Sequence, residues 1–235
     1  MIAWMQDHVA LRKQAAEDDV AGNDGRAKLF APLLPVTCAN QRFYVETLAE
    51  ELKSDVSGLA FYDLTTLDDL PNELVHLPRL GFTTPATPHE VLSHVARGID
   101  LLTIPFITSA TDAGIALDFA FPVTQPQETT SSDSVPRPLG IDMWQTHYAT
   151  DLRPLVEGCQ CYACTDHHRA YLQHLLAAKE MLGWVLLQIH NHHVIDKFFA
   201  GIRESVSAGT FEQEVEHFAR VYESAMPEKT GQGPR

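Results

Sequence analysis

The chain has 235 residues, 45% of them hydrophobic, and its 31 acidic side chains outnumber 17 basic ones to give a formal charge of −14. That length and apolar share allow a substantial core, while the acidic excess argues against direct binding of a phosphate backbone over a wide face. No stretch is long and apolar enough to cross a bilayer, and residues 1–11 read neither as a secretory signal nor as an Arg-rich transit peptide.

Ile2, Met5 and Val9 fit one face of an N-terminal helix. Residues 17–25, acidic and glycine-containing, read as a loop. Residues 28–38 form a short apolar run that reads as a buried strand with prolines marking its ends. Val45, Leu48 and Leu52 give helical periodicity over 43–52, and residues 56–62 and 78–82 read as the next two strands. Thr87-Pro88 supplies a cap and first turn for a helix over 89–96, and residues 98–104 read as another buried strand. Strands alternating with helices predict β/α units and a parallel sheet. Residues 122–138, rich in Pro, Ser, Thr and Gln, read as a long exposed and mobile loop. Residues 139–148 hold one more strand candidate, and Ala116 to Phe121 around Asp118 also has strand character. From His167 the chain reads as helical, with Phe211, Val215, Phe218 and Val221 marking the last helix before a polar tail at 228–235.

Four cysteines, three of them clustered, point to a reducing compartment and to metal rather than disulfides. Cys38 stands apart and reads as a buried, apolar-like thiol. The cluster is Cys159-x-Cys161-x-x-Cys164, in which one tight loop can place three sulfurs around a point. Three thiolates and one imidazole make a closed tetrahedral zinc set. Apolar residues at Tyr171, Leu175, Leu182, Leu186 and Ile189 have helical spacing, so a histidine at the far end reaches the loop only if the chain folds back. His190 is the first candidate there. His192 and His193 fit the spacing too, whereas His167, His168 and His174 lie closer to the cysteine loop.

These segments resemble the tRNA-guanine transglycosylases, or queuine tRNA-ribosyltransferases. The cysteine loop, the following Arg169-Ala-Tyr171-Leu-x-His174-Leu and Ile189-His190-Asn191 are similar to that family's zinc subdomain in order and spacing. Gly201-Ile-Arg203 and Gly209-Thr-Phe211 resemble its C-terminal helices, and Gly81-Phe-x-Thr-Pro85 and Gly98-Ile-Asp100-Leu its late barrel strands. The resemblance selects His190 as the fourth ligand and implies one Zn²⁺ per chain. It implies an α/β fold: a partial (β/α)₈ barrel of the later strands over 1–150, a zinc-binding helical subdomain over 151–226, and a tail at 227–235. On this reading roughly the first half of a barrel is missing, as in a truncated chain.

Two departures bear on activity. Catalytic members carry an aspartate nucleophile three positions after Asp100, where this chain has Thr103, a neutral side chain with no visible base to activate it. Residues 31–36 and 58–63 replace the family's glycine-rich base pocket. The resemblance therefore implies a non-catalytic accessory subunit that pairs as a heterodimer with a catalytic one, in an enzyme that exchanges guanine for queuine at the wobble position of certain tRNAs. It would meet tRNA through that complex, with a homodimer as the other assembly. The implied location is the cytoplasm, with peripheral association at the mitochondrial outer membrane. The alternatives are an active transferase using a displaced carboxylate, Asp100, Asp112 or Asp118, and a zinc-stabilised interaction module with no tRNA role.

Overall fold

A computed structural model describes residues 1–18, 28–123 and 135–231. The chain is mixed α/β and divides into two compact units. One comprises Met1–Pro85 and Val91–Thr103, the other Ala86–Glu90 and Ile104–Arg235.

The first unit is built on a parallel sheet in the order β1 (Phe30–Leu33), β2 (Gly58–Phe61), β3 (Arg79–Gly81), β4 (Leu101–Leu102). Strand side chains alternate between faces. Ala31 and Leu33 of β1, paired with Leu59 and Phe61 of β2, all point into one core and are fully buried there. Helix α1 (Ile2–Asp18) adds Met5 and Val9 to that core, with Ile2 packed against it, as the spacing predicts. Arg12 donates to the Asp55 carbonyl at 2.9 Å and Lys13 pairs with the Asp55 carboxylate at 2.8 Å, holding α1 beside the turn at residues 53–55. Helix α2 (Arg42–Thr47) continues through a π-helical turn at Leu48–Leu52 and contributes Leu48 and Leu52 to the core.

Two details depart from the sequence reading. Pro32 lies inside β1 rather than at its end; β1 is an edge strand, where a residue without an N–H is tolerated. Residues 98–104 do not form a buried strand. Only Leu101 and Leu102 pair, at the other edge of the sheet, and Leu101 is 48% exposed. Gly98, at φ 84°, turns the chain out of the preceding helix, which leaves room for little more than one ladder step. Gly58 serves packing: a Cβ there would strike the Phe30 ring and the Pro78 carbonyl. Tyr62 and Phe82, just past the ends of β2 and β3, are exposed and stack on each other with centroids 5.3 Å apart.

Helix α3 (Pro88–Ala96) starts where Thr87-Pro88 predicts. The Glu90 amide donates to the Thr87 hydroxyl at 3.3 Å, and the Glu90 carboxylate accepts from the Ala86 amide at 2.7 Å, a reciprocal cap.

The second unit holds α4 (Phe106–Ala113), β5 (Ile115–Leu117), β6 (Gly140–Asp142), α5 (Tyr162–Asp166), α6 (Arg169–Ala177), α7 (Met181–Ala208) and α8 (Phe211–Val221). Strands β5 and β6 pair antiparallel, so the parallel rule stops at β4. Helix α4 was not legible in the sequence. Phe119, Phe121, Phe198 and Phe218 meet at 5.4–6.1 Å, mostly edge to face, and fasten α7 and α8 over the segment after β5. A second cluster, including Met143, Leu155, Leu172, Leu176 and Leu187, surrounds the cysteines. The expected mobile loop over 122–138 falls largely on residues 124–134, the acidic loop over 17–25 on 19–25 (Glu17 and Asp18 end α1), and the end of the tail on 232–235, all outside the described residues apart from those two. Among the described residues no helix is long and apolar enough to cross a membrane.

Candidate metal centre

The cysteine loop turns by backbone hydrogen bonds from Cys159 to Val156 (3.2 Å) and from Cys164 to Cys161 (3.0 Å). Cys161 caps α5, and Cys164 follows in its first turn, so the x-x spacing returns the third thiol toward the first two. The fourth group arrives because the helical pattern from Tyr171 to Ile189 is interrupted. Residues 178–180 break it into α6 and α7, with Lys179 at φ 58°. The chain folds back there, and α7 carries His190 over the loop. The break moves the apolar stripe as well: Leu175 and Leu186 are buried, whereas Leu182 and Ile189 are exposed.

His190 Nδ1 lies 3.7 Å from Cys159 Sγ, 3.5 Å from Cys161 Sγ and 3.4 Å from Cys164 Sγ. The four ligand atoms lie within 4.8 Å of one another, and this is the one such cluster among the described residues. Cys161, Cys164 and His190 are buried, and Cys159 is half-buried. His190 Nε2 donates to the Leu117 carbonyl at 2.9 Å, which leaves the Nδ1 lone pair aimed at the sulfurs. Three thiolates and one imidazole in this arrangement can hold a metal ion, and the donors suit zinc.

The hydrogen bond from Cys164 holds the Cys159 thiol well below the usual thiol range, against the effect of burial and with help from His190. The same hydrogen bond, with burial, pushes Cys164 up. Burial works against a charged His190, but hydrogen bonds to Cys159 and Cys161 raise it to about 9.

The rival histidines stand outside the cluster. His168 caps α6, its Nδ1 accepting from the Tyr171 amide at 3.1 Å, and His167 stacks on the Tyr171 ring at 5.1 Å. His174 is exposed; His192 is exposed and meets Gln188 at 2.6 Å; His193 is half-buried.

With that geometry in place, the comparisons are specific. The family model described as Queuine tRNA-ribosyltransferase matches residues 2–224. The chain belongs to this family. It is 42% identical over 185 residues to the queuine tRNA-ribosyltransferase accessory subunit 2 of Schizosaccharomyces pombe, covering 79% of this chain and 41% of that protein. The same-named proteins of Culex quinquefasciatus and Aedes aegypti are 32% and 35% identical over 184 and 172 residues, covering 72% and 73% of this chain and 42% and 38% of theirs. The chain thus spans about two fifths of the length of these curated relatives.

The other positions singled out for this queuine tRNA-ribosyltransferase family member have plain structural surroundings. Thr103 is exposed; its hydroxyl donates to the Thr83 carbonyl at 3.0 Å and its amide to Gly81 at 3.3 Å. The Asp100 carboxylate accepts from the Arg79 amide at 2.8 Å. Asp112 is exposed. Burial pushes the Asp118 carboxyl up, opposed by Arg137 at 3.6 Å. Residues 31–36 include most of β1, and within 58–63 the Asp63 carboxylate caps the Thr65 amide at 2.8 Å. Cys38 is buried as expected, with Sγ 3.4 Å from the Thr66 carbonyl, and burial pushes its thiol up.

Two participants were missed by sequence reasoning. Leu117 acts through its backbone carbonyl, which carries no side-chain signal. Asn191 was visible beside His190, yet its role depends on β5, 74 residues upstream.

Proposed function

We propose that this chain is a non-catalytic accessory subunit of a queuine tRNA-ribosyltransferase, with one Zn²⁺ held by Cys159, Cys161, Cys164 and His190. The observation that carries the accessory reading is Thr103. At the position of the family's attacking carboxylate stands a neutral hydroxyl that is hydrogen-bonded to a backbone carbonyl. The displaced-carboxylate alternative draws no support from its candidates: Asp100 is bonded to a backbone amide, Asp118 is paired with Arg137, and Asp112 lies on the surface of α4. The names of the relatives support the same reading.

The zinc reading rests on donor chemistry and spacing. Zn–S bonds of about 2.3 Å and a Zn–N bond of about 2.0–2.1 Å in a tetrahedron set S···N separations of roughly 3.6 Å. The three Sγ–Nδ1 distances of 3.4–3.7 Å bracket that value. When bound, zinc in such a closed site supplies folding free energy rather than a reactive position. The chain's own residues then do the structural work: the cysteine loop anchors α5, His190 anchors α7, and Leu117 ties both to β5. On this reading 151–226 forms the zinc-binding subdomain, and the parallel sheet of the first unit is part of a (β/α)₈-type barrel.

The partner is a catalytic subunit of the same enzyme, bound as a heterodimer, and the complex exchanges guanine for queuine at the tRNA wobble position. Met181, Leu182, Val185 and Ile189 leave an exposed apolar stripe on α7, and such a stripe on an otherwise acidic chain suits a protein partner better than nucleic acid. The place of work is the cytoplasm, with peripheral attachment at the mitochondrial outer membrane. The test is co-elution of purified chain with a catalytic subunit. A single complex is expected, lost in Val185→Glu while metal content stays unchanged. A wild-type chain that never associates, or one that exchanges guanine by itself, overturns the proposal.

A further inference from the structure

We infer that Asn191 is a positioning residue for the metal centre, fixing the backbone of Leu117 and through it the direction of His190. The inference rests on reading the three cysteines and His190 as a metal site. Two consecutive side chains of α7 grip the two polar backbone groups of one strand residue. The Leu117 amide donates to Asn191 Oδ1 at 2.9 Å, and the Leu117 carbonyl accepts from His190 Nε2 at 2.9 Å. Asn191 is itself immobilised. Its Nδ2 donates to the Ile115 carbonyl at 3.0 Å and to Thr111 Oγ1 at 2.9 Å, and the Thr111 hydroxyl donates to the Ile107 carbonyl at 2.9 Å. Asn191 and His190 are both fully buried, so water cannot replace these bonds without opening the packing.

The consequence follows from leverage. Leu117 is the last residue of a three-residue strand, paired on one side with Gly140. On its other side Asn191 takes the part that a neighbouring strand would play. Without Asn191 the Leu117 carbonyl is free to shift, the imidazole follows its acceptor, and Nδ1 leaves the point equidistant from the three sulfurs. Removing a group that orients a metal ligand typically weakens metal affinity by about 10–100-fold. Asn191→Asp is the near-isosteric probe, because it turns the Nδ2 donor into an oxygen facing the Ile115 carbonyl. Thr111→Val is the milder one, removing a single partner of Asn191.

The experiment uses Co²⁺ on the full chain, with Kd from chelator competition and the ligand-field spectrum as an independent report of coordination geometry. Asn191→Asp is expected to weaken Co²⁺ binding by about 10–100-fold and to change the shape of the spectrum, with Thr111→Val moving both in the same direction by less. A folded Asn191→Asp chain with the wild-type Kd and spectrum overturns the inference. If that variant does not fold, an unchanged Kd in Thr111→Val overturns it instead. A wild-type chain that takes up no Co²⁺ overturns the metal reading, and this inference with it.

Discussion

Replacing His190 by Ala separates what the metal contributes from what packing contributes. The substitution removes one of four ligands, so the metal-linked stabilisation is lost. At a free metal concentration a thousandfold above Kd that stabilisation is about 4 kcal/mol. A second loss is independent of metal. The Leu117 carbonyl, bonded to Nε2 at 2.9 Å in a fully buried environment, is left without its donor, at a cost of about 1–3 kcal/mol. The void left by the imidazole adds roughly 2 kcal/mol. The assay is urea unfolding followed by circular dichroism, on wild type and His190→Ala, with Zn²⁺ and again with a chelator. With metal the variant is less stable by all three losses, and the chelator narrows the gap by about 4 kcal/mol because only wild type then gives up bound metal. An equal gap under both conditions would mean that His190 is a buried structural histidine and that the cysteines hold no metal with it.

Two further expectations concern other parts of the molecule. Hydrogen bonds from Arg153, through its side chain and its amide, and then from Arg169 hold Asp151 well below the usual carboxylate range. A carboxyl depressed in the folded state adds stability above its unfolded pKa of about 3.9 that is lost as pH falls through the folded value. Asp151→Asn should therefore be less stable than wild type above about pH 4 and converge with it in stronger acid; parallel curves across pH would contradict the assignment. In the first unit, the exposed Tyr62 and Phe82 stack just past the ends of β2 and β3, and Leu101 is exposed on the edge strand β4. The chain should bind a hydrophobic dye and tend to associate, and Tyr62→Ser with Phe82→Ser should reduce the dye signal. A monodisperse wild-type monomer that binds no dye would refute this.

How much of this was legible in the sequence depended on whether local pattern or distant geometry decided each element. Short apolar runs located β1 to β3, because a strand buried in a parallel sheet leaves a local apolar signature: β1 buries alternate residues and β2 buries all four. The Thr87-Pro88 cap and α8 were readable for the same local reason. The end of α6 was not. Residues 178–180 are Ala-Lys-Glu, all good helix formers, and nothing in them announces a left-handed lysine; the turn is imposed by packing α6 against α7. The four members of the cluster could be named because thiols and imidazoles are chemically rare and closely spaced, although spacing alone left His192 and His193 open. Helical geometry decides among them: His190 faces inward with Asn191, and His192 turns out to solvent. Leu117 and the antiparallel β5–β6 pair depend on contacts between distant segments, which no local pattern encodes.

The central claim is that this family member has no transglycosylase chemistry of its own. The most direct test is release of radiolabelled guanine from tRNA by the purified wild-type chain, alongside Thr103→Asp. The account predicts background release from both, because the carboxylate and the base pocket are independent losses and restoring one leaves the other absent. Guanine release above background by the wild-type chain alone would contradict it.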